Sequence, residues 1–477
     1  MSKKTCNYDK MIFNPISRRT RKFKCTEPCL DSGYCILHDP DYLTESTESD
    51  IKHIICQKIE DASKNGTVLE CIGYNIPPLN IENKTFSGLV YFTDSKFEEI
   101  VFDYSKFSTY VDFSNCKIES EASFSNIIFK NDVNFTLSNF GGKTNFDNTK
   151  FEKKADFSFV KFKDASFFSA EFNESDFSGA VFTKSVSFGY SEFNAKTDFS
   201  NTNFENDVNF SASKFIDEAN FTHSNFSDFV NFRGTLFIKP SQVFFESDLS
   251  RASFLQTDIS RVKFGNQTKW NLEEKKGSNR FSQFFYNLLS RNNKFKIYDE
   301  WLLEKNQEPT LQLENVMDVY RNLRENYDWY LRYEVAGEFF VREMELKRKY
   351  KKNKNSTDRK TVQKNYFERL ISPLGVYHLI SQYGHSISRP VYTSIPFLGL
   401  FTILFCFENT SDPSFTNTSF ENLLLDSVFR SISNFFPFYS ISKQNSNLDI
   451  ILKIILLPIS VTFFIALKRK LERKFRH

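Results

Sequence analysis

The chain has 477 residues, 25% of them charged, and a formal net charge of +3. That length exceeds a single small domain and predicts several. The near-balance of charge hides an asymmetry, because the central part is net acidic and the remainder net basic, so the two parts are expected to meet different partners.

The opening stretch "MSKKTCNYDKMIFNPISRRTRKFK" has no apolar core of useful length and predicts no cleavable signal peptide. Four of the eight cysteines crowd this end: Cys6, Cys25, Cys29 and Cys35, followed by His38. The run "CTEPCLDSGYCILH" ends in Cys-x2-His. Three thiolates and one imidazole complete a tetrahedral Zn²⁺ site, and such a closed site is structural. Cys6, Cys25, Cys35 and His38 are the expected ligands, with Cys29 as the alternative to Cys25 or Cys6; a disulfide and unligated thiols are the competing readings. The spacing resembles small Cys3His zinc knots, although eighteen residues between Cys6 and Cys25 is longer than usual. Arg18, Arg19, Arg21 and Lys22 are weak ground for nucleic acid, which is not an expected partner. Cys56, Cys71, Cys116 and Cys406 are scattered and read as buried small residues. Residues 1–45 are therefore assigned to a zinc knot and 46–85 to a cap or connector.

From Phe92 the phenylalanines fall into a ladder. Phe97, Phe102, Phe107, Phe113, Phe124, Phe129, Phe135, Phe140, Phe146, Phe151, Phe157 and Phe162 are among its rungs, and it runs on past Phe237 to Phe264. Steps of five and six fit neither a helix nor a simple strand. Two positions before each rung stands a small or β-branched residue, such as Val111, Ala122, Val133, Ala155, Thr202 or Ser224. The residue just before a rung is often Asp or Asn, as at Asn134, Asp156, Asp198 and Asn209. One large and one small side chain of each five point inward and the others face water. Such a strip buries its apolar residues only when coils stack. These residues resemble the pentapeptide-repeat proteins, in a Phe-rich variant with an added residue bulging at alternate corners. The resemblance implies a mainly β fold, a right-handed quadrilateral β-helix over 86–264. At about 22 residues per coil this makes roughly eight coils, a rod on the order of 40 Å long. Its outward positions hold no nucleophile, base or metal-ligand set, and His223 stands alone. No catalytic and no cofactor-binding residue is expected; the repeat reads as a non-enzymatic scaffold.

After a connector (265–310), the run 311–352 shows helical spacing at Val316, Val319, Tyr320, Leu323 and Tyr327, then at Val335, Ala336, Phe339, Phe340 and Met344. It looks like an α-helical hairpin of tetratricopeptide type. The stretch "KRKYKKNKNSTDRK" opens a basic linker with a juxtamembrane helix (353–390), read either as a solvated linker or as a contact for anionic headgroups.

Residues 391–467 predict a two-helix transmembrane region. "VYTSIPFLGLFTILFCF" has no charge, and "IILKIILLPISVTFFIAL" has only Lys453 near its start. Each is close to the minimum for a bilayer span, and buried core helices are the competing reading. Basic flanks before the first and after the second, including the tail 468–477, place both termini in the cytoplasm by the positive-inside rule. Between them "SFENLLLDSVFRSISNFFPF" reads as a short amphipathic helix with Leu424, Val428 and Ile432 near one face. With "LISQYGHSISRP" ahead of the first span, this layout resembles pentapeptide-repeat proteins fused to a two-span ion-channel-like module. That module implies a tetrameric pore, with Glu421 and Asp426 as candidate pore-lining carboxylates. No Gly follows Gly399, and a potassium filter needs glycine-rich backbone.

The first expectation is a membrane-anchored scaffold, on the cell membrane with two spans, presenting a cytoplasmic β-helix to a protein partner. Membrane lipid is its other partner. The alternatives are a subunit of a non-potassium-selective cation-channel-like pore, a homo-tetramer gated by its cytoplasmic domains, and a DNA-mimicking, topoisomerase-interacting rod. The rod in that last case is usually acidic and free, whereas this one is mildly acidic and tethered.

Overall fold

Stacking of like residues on like residues organises the first part of the chain. Thr85–Phe86 pairs in parallel with Lys106–Phe107, Val90–Tyr91 with Val111–Asp112, Lys96–Phe97 with Lys117–Ile118, and Ile100–Val101 with Ala122–Ser123. Each short strand thus meets the fourth one on, which makes a coil of four faces. The ladders run through two parallel sheets of 16 and 15 strands, a β-solenoid of about nine turns. The computed structural model describes residues 5–15, 18–39, 41, 44, 47–239, 243–270, 295–305, 311–352, 361–384, 386–410, 420–436 and 447–475. It falls into two units, Met1–Glu308 and Pro309–His477.

The inward Phe residues form face-to-face columns. Phe135, Phe157, Phe177 and Phe199 lie 4.9 Å apart, ring on ring, and meet the neighbouring column of Phe146 and Phe167 edge to face. Both are favoured ring geometries, and all six side chains are wholly buried. The small residues stack as well, Val111 on Val133 and Val133 on Ala155. Hydroxyls at alternate rungs bond one coil to the next, with Thr202, Ser224 and Thr235 donating to the carbonyls of Phe177, Phe199 and Phe210 on the preceding coil at 2.8–2.9 Å. The Asp and Asn residues before the rungs accept from the backbone N–H two residues on, as Asp198 does from Ser200 at 2.8 Å and Asn209 from Ser211 at 3.0 Å. Short polar side chains close turns this way.

Two features differ from the expected repeat. The strand ladder opens at Leu69, not at residue 86: Leu69 pairs with Val90, Asn75 with Lys96 and Leu79 with Ile100. This first coil has Cys71, Ile76 and Ile81 where the next has Phe92, Phe97 and Phe102, and Leu69 and Leu79 where the next has Val90 and Ile100, so the Phe ladder does not announce it. It adds a turn to the eight expected. The second concerns the extra residue. Where a six-residue step stacks on a five-residue step, between Phe140 and Lys143 and between Phe151 and Lys154, the register shifts as a β-bulge. Gly142 sits in the first bulge, where a Cβ would come 1.8 Å from the Ser120 carbonyl oxygen.

Both solenoid ends are covered. At the start, α1 (Glu48–Asn65) buries Ile51, Ile55 and Ile59, and the hairpin of β1 (Asp9–Asn14) and β2 (Arg19–Lys24) precedes it. At the far end, α2 (Tyr298–Lys305) inserts the wholly buried Asp299, which accepts from Ser253 Oγ at 2.6 Å and from the Phe254 N–H at 3.2 Å.

The second unit is helical. α3 (Leu313–Trp329) and α4 (Tyr333–Lys349) pack through Val316, Tyr320, Leu323, Tyr327, Ala336 and Phe339. Buried Glu343 gathers Arg324 at 2.9 Å and Lys347 at 2.8 Å. A short antiparallel pair, Tyr350–Lys352 with Thr361–Gln363, leads to α5 (Tyr366–Ile371) and α6 (Pro373–Ser381). α7 (Ser388–Thr410), α8 (Phe420–Phe435) and α9 (Asn447–Phe475) complete it.

Candidate functional site

The β1–β2 hairpin explains how Cys6 reaches Cys25 across eighteen residues. Asp9 pairs with Lys24 in register, the Cys25 N–H donates to the Tyr8 carbonyl at 3.1 Å, and the Cys6 N–H donates to that of Glu27 at 3.0 Å. The intervening residues are spent on the ribbon, which returns the chain to its start. The turn after Leu30 then brings in the third and fourth groups. Gly33 adopts φ +88°, where a Cβ would meet the Asn7 side chain at 2.6 Å, and its carbonyl accepts from the Asn7 N–H.

Cys6, Cys25, Cys35 and His38 are all buried, and their ligand atoms lie within 4.8 Å of one another. The sulfurs of Cys25 and Cys35 are 3.8 Å apart, and His38 Nδ1 is 3.5 Å from Cys6 Sγ and 3.0 Å from Cys35 Sγ. Bonds of about 2.3 Å to sulfur and about 2.0 Å to nitrogen give a tetrahedral zinc site edges of about 3.8 Å and about 3.5 Å. The sulfur pair is much too far apart for a disulfide, whose S–S bond is about 2.05 Å. His38 Nε2 lies 2.9 Å from the Ile72 carbonyl and donates to it, which leaves Nδ1 unprotonated toward the sulfurs. Tyr8 stacks on the imidazole at 4.1 Å and Tyr74 meets it edge-on at 5.1 Å. Cys29 is half-buried and stands outside the group.

Burial acts on two of the thiols and on the imidazole. It pushes the Cys35 thiol up to about 12 and the Cys25 thiol upward, and it holds His38 below the usual imidazole range. Neutral thiols beside a neutral imidazole are the ground state of an apolar pocket, and a divalent cation would displace thiol protons. The buried cluster can hold a metal.

The site is fastened to the first two coils. Tyr8 Oη and Lys10 Nζ reach Asp94 at 3.0 and 2.8 Å, and Arg21 pairs with Glu70 and lies over the Tyr91 ring at 5.9 Å. Lys22 pairs with Asp9 at 2.6 Å. Arg21 and Lys22 are thus held in internal pairs.

In the second unit, two helices are long and apolar enough to cross a membrane, over Ser388–Glu408 and Asn447–Arg469, with mean hydropathy 1.7 and 2.6. Only 22% and 28% of these windows are buried. Phe401, Phe405, Leu452, Leu456 and Ile459 pack between α7 and α9 with Phe435 of α8, while Ile395, Leu400, Ile403, Ile454, Leu457 and Val461 face outward. The helix α8 between them is inside out. Its expected apolar face is exposed at Leu424 and Ile432, together with Leu425 and Phe429, whereas Ser427, Arg430, Ser431, Ser433 and Asn434 are buried. Glu421 and Asp426 are exposed on α8 and take no part in the buried group.

That buried group is a charge cluster which the sequence does not single out. Arg430 pairs with Asp449 at 2.6 Å and with Glu408 at 3.1 Å, and its guanidinium lies 4.2 Å above the Phe405 ring. Asn434 Nδ2 donates to Asp449 at 2.8 Å and to the Arg430 carbonyl at 3.0 Å. One charged residue from each of α7, α8 and α9 meets here.

Residues 82–128 and 146–192 match the family model of pentapeptide repeats, with nine copies. No curated protein matches the chain. Among solved structures, trypsin-treated QnrB1, described as a plasmid-mediated fluoroquinolone resistance protein, is 17% identical with a TM-score of 0.13, covering 42% of this chain and 90% of that one. Full-length QnrB1 is 16% identical with the same TM-score, covering 46% and 98%. The chain carries a pentapeptide-repeat β-solenoid followed by a helical C-terminal region.

Proposed function

We propose that the chain is a non-enzymatic scaffold anchored in a membrane by α7 and α9, with the solenoid in the cytoplasm presenting its polar faces to a protein partner. The observation that carries this reading is the outward apolar surface of the two long helices together with the inverted α8. In water, an arrangement with Arg430 inside and Leu425 and Phe429 outside exposes the costly surface and buries the charged one. In a bilayer the same arrangement puts each group where it is solvated best. Basic residues before Val391 and after Leu467 favour both termini on the cytoplasmic side. The metal at the cysteine cluster is zinc in this reading, with Cys6, Cys25, Cys35 and His38 as ligands, closing the first coil without catalytic work.

A second reading, a cation-channel-like pore subunit, draws on α8. Its Ser431 hydroxyl lies 3.0 Å from that of Thr402 on α7, and Phe435 lies 5.7 Å from Phe463 on α9, well along that helix from Asp449. A helix that enters between two spans and ends partway down them has the layout of a re-entrant pore segment. The full chain in liposomes, compared with a version ending before Val391, separates the two. Insertion with ion flux above the truncation's background makes it a pore, and insertion without flux makes it an anchor. Release of the full chain by alkaline wash overturns both.

A further inference from the structure

α5 and α6 precede the first long helix, and apart from Glu368 their exposed residues are apolar. Phe367 and Ile371 are each 71% exposed, and Val376 and Leu379 are each about half exposed. Val376 and Leu379 are three residues apart, on one face of α6. The opposite face of α6 is polar and engaged: His378 Nδ1 lies 2.7 Å from Glu345 Oε1 on α4, and Ser381 is buried. Tyr383, wholly buried just beyond α6, donates from Oη to the same carboxylate oxygen at 2.8 Å. Arg348 completes the group at 2.7 Å. Two further arginines lock the elbow to the long helices. Arg389, at the start of α7, donates to the His378 carbonyl at 3.2 Å, and Arg469 of α9 donates to the Tyr383 carbonyl at 3.1 Å. The rotation of α6 is therefore set by the polar group around Glu345, and that setting turns its apolar face outward.

We infer that α5 and α6 form an interfacial elbow whose Phe367, Ile371, Val376 and Leu379 enter the headgroup–acyl boundary of the membrane that holds α7 and α9. This rests on the anchored reading above and names the lipid-contacting surface within it. Two observations select lipid as the occupant. Arg389 fastens α6 to the start of α7, where Val391, Tyr392 and Ile395 are exposed as well. The sequence just before it also carries Lys351, Lys352, Lys354, Arg359 and Lys360, whose charge complements anionic headgroups.

The test uses the full chain in vesicles of phosphatidylcholine and phosphatidylglycerol, with bromine carried either high on the acyl chain or near its methyl end. Phe367→Trp and Leu379→Trp report on the elbow, and Leu400→Trp, midway along α7, reports on the span. Each is read against the unsubstituted chain, whose three tryptophans lie outside both regions. Added emission from Phe367→Trp and Leu379→Trp that is blue-shifted and lost mainly to the shallow bromine, with Leu400→Trp lost mainly to the deep one, supports the inference. Quenching of Leu400→Trp alone overturns it and gives the face to protein, a second copy of the chain included. Quenching of none of the three means that the anchored reading has failed, and the inference with it.

Discussion

His38 and Ile72 are joined by a hydrogen bond of 2.9 Å that ties the cysteine cluster to the first coil of the solenoid. The bond uses the imidazole nitrogen that a metal would not take, so ligand orientation and coil closure depend on one ring. Backbone continues the link, the Asn75 N–H donating to the Leu37 carbonyl at 2.8 Å.

Metal removal is therefore expected to loosen the solenoid from one end. A chelator should raise amide exchange through residues 69–92 while leaving the coils around Phe177 protected, as nearest-neighbour stacking requires. His38→Ala should lower zinc content by elemental analysis and give the same exchange pattern without chelator. His38→Cys should keep the metal, since four thiolates also close a tetrahedral site. Uptake of zinc by the metal-free chain should release protons, measured in weakly buffered solution, because burial holds the Cys25 and Cys35 thiols protonated near neutral pH.

Gly142→Ala is expected to destabilise the solenoid by about 1–3 kcal/mol or more, since the added methyl meets backbone that cannot rotate away. Gly234→Ala makes a useful comparison. Nothing stands within 4 Å of its Cβ position, so the cost there comes only from its φ of +65°, about 1 kcal/mol. Denaturant midpoints of the two variants should rank in that order.

Arg430→Met leaves the Asp449 carboxylate buried without its cation and is expected to cost about 3–5 kcal/mol. Replacing both, Arg430→Met with Asp449→Leu, should recover much of that loss, because the pair's desolvation is removed along with its attraction. Unfolding in mixed micelles measures the coupling by a double-mutant cycle. Additive losses would show that the two residues act independently.

The Glu345 carboxyl offers a pH test. Its burial works to raise it, but the hydrogen bonds and charges of His378 and Arg348 outweigh that and hold it well below the usual carboxylate range. A depressed acid contributes stability that is complete above its unfolded value of about 4.3 and is lost as pH falls toward the folded value. The α4–α6 contact should keep this contribution from neutral pH down to roughly 4.3 and lose it progressively below. Glu345→Gln should be less stable at neutral pH and show a flatter decline in acid, read by thermal melting across pH.

How much of this was legible in the sequence depended on what each residue stacks against. The Phe columns were readable because every rung is a local step of five or six and each repeats its neighbour. The coil from Leu69 was not, since Leu and Ile fill its interior and carry no distinctive spacing. Among the cysteines, spacing left Cys29 open, because the choice depends on the register of a hairpin whose strands read as ordinary basic sequence. Arg430 was invisible for another reason. A helix pattern shows which residues share a face, but not which face turns inward, and α8 turns the polar one.

The repeating core also makes the rod a ruler. Because the ring of one coil rests on an equivalent ring 4.9 Å away, as Phe157 does on Phe177, a whole coil has the same neighbours wherever it is placed. Adding or removing one would leave the cysteine–histidine cluster and the Asp299 closure with their own partners. The distance between them would change in increments of about 4.8 Å. Reach can thus be lengthened or shortened in this chain without a new fold, in whole coils and in no smaller unit.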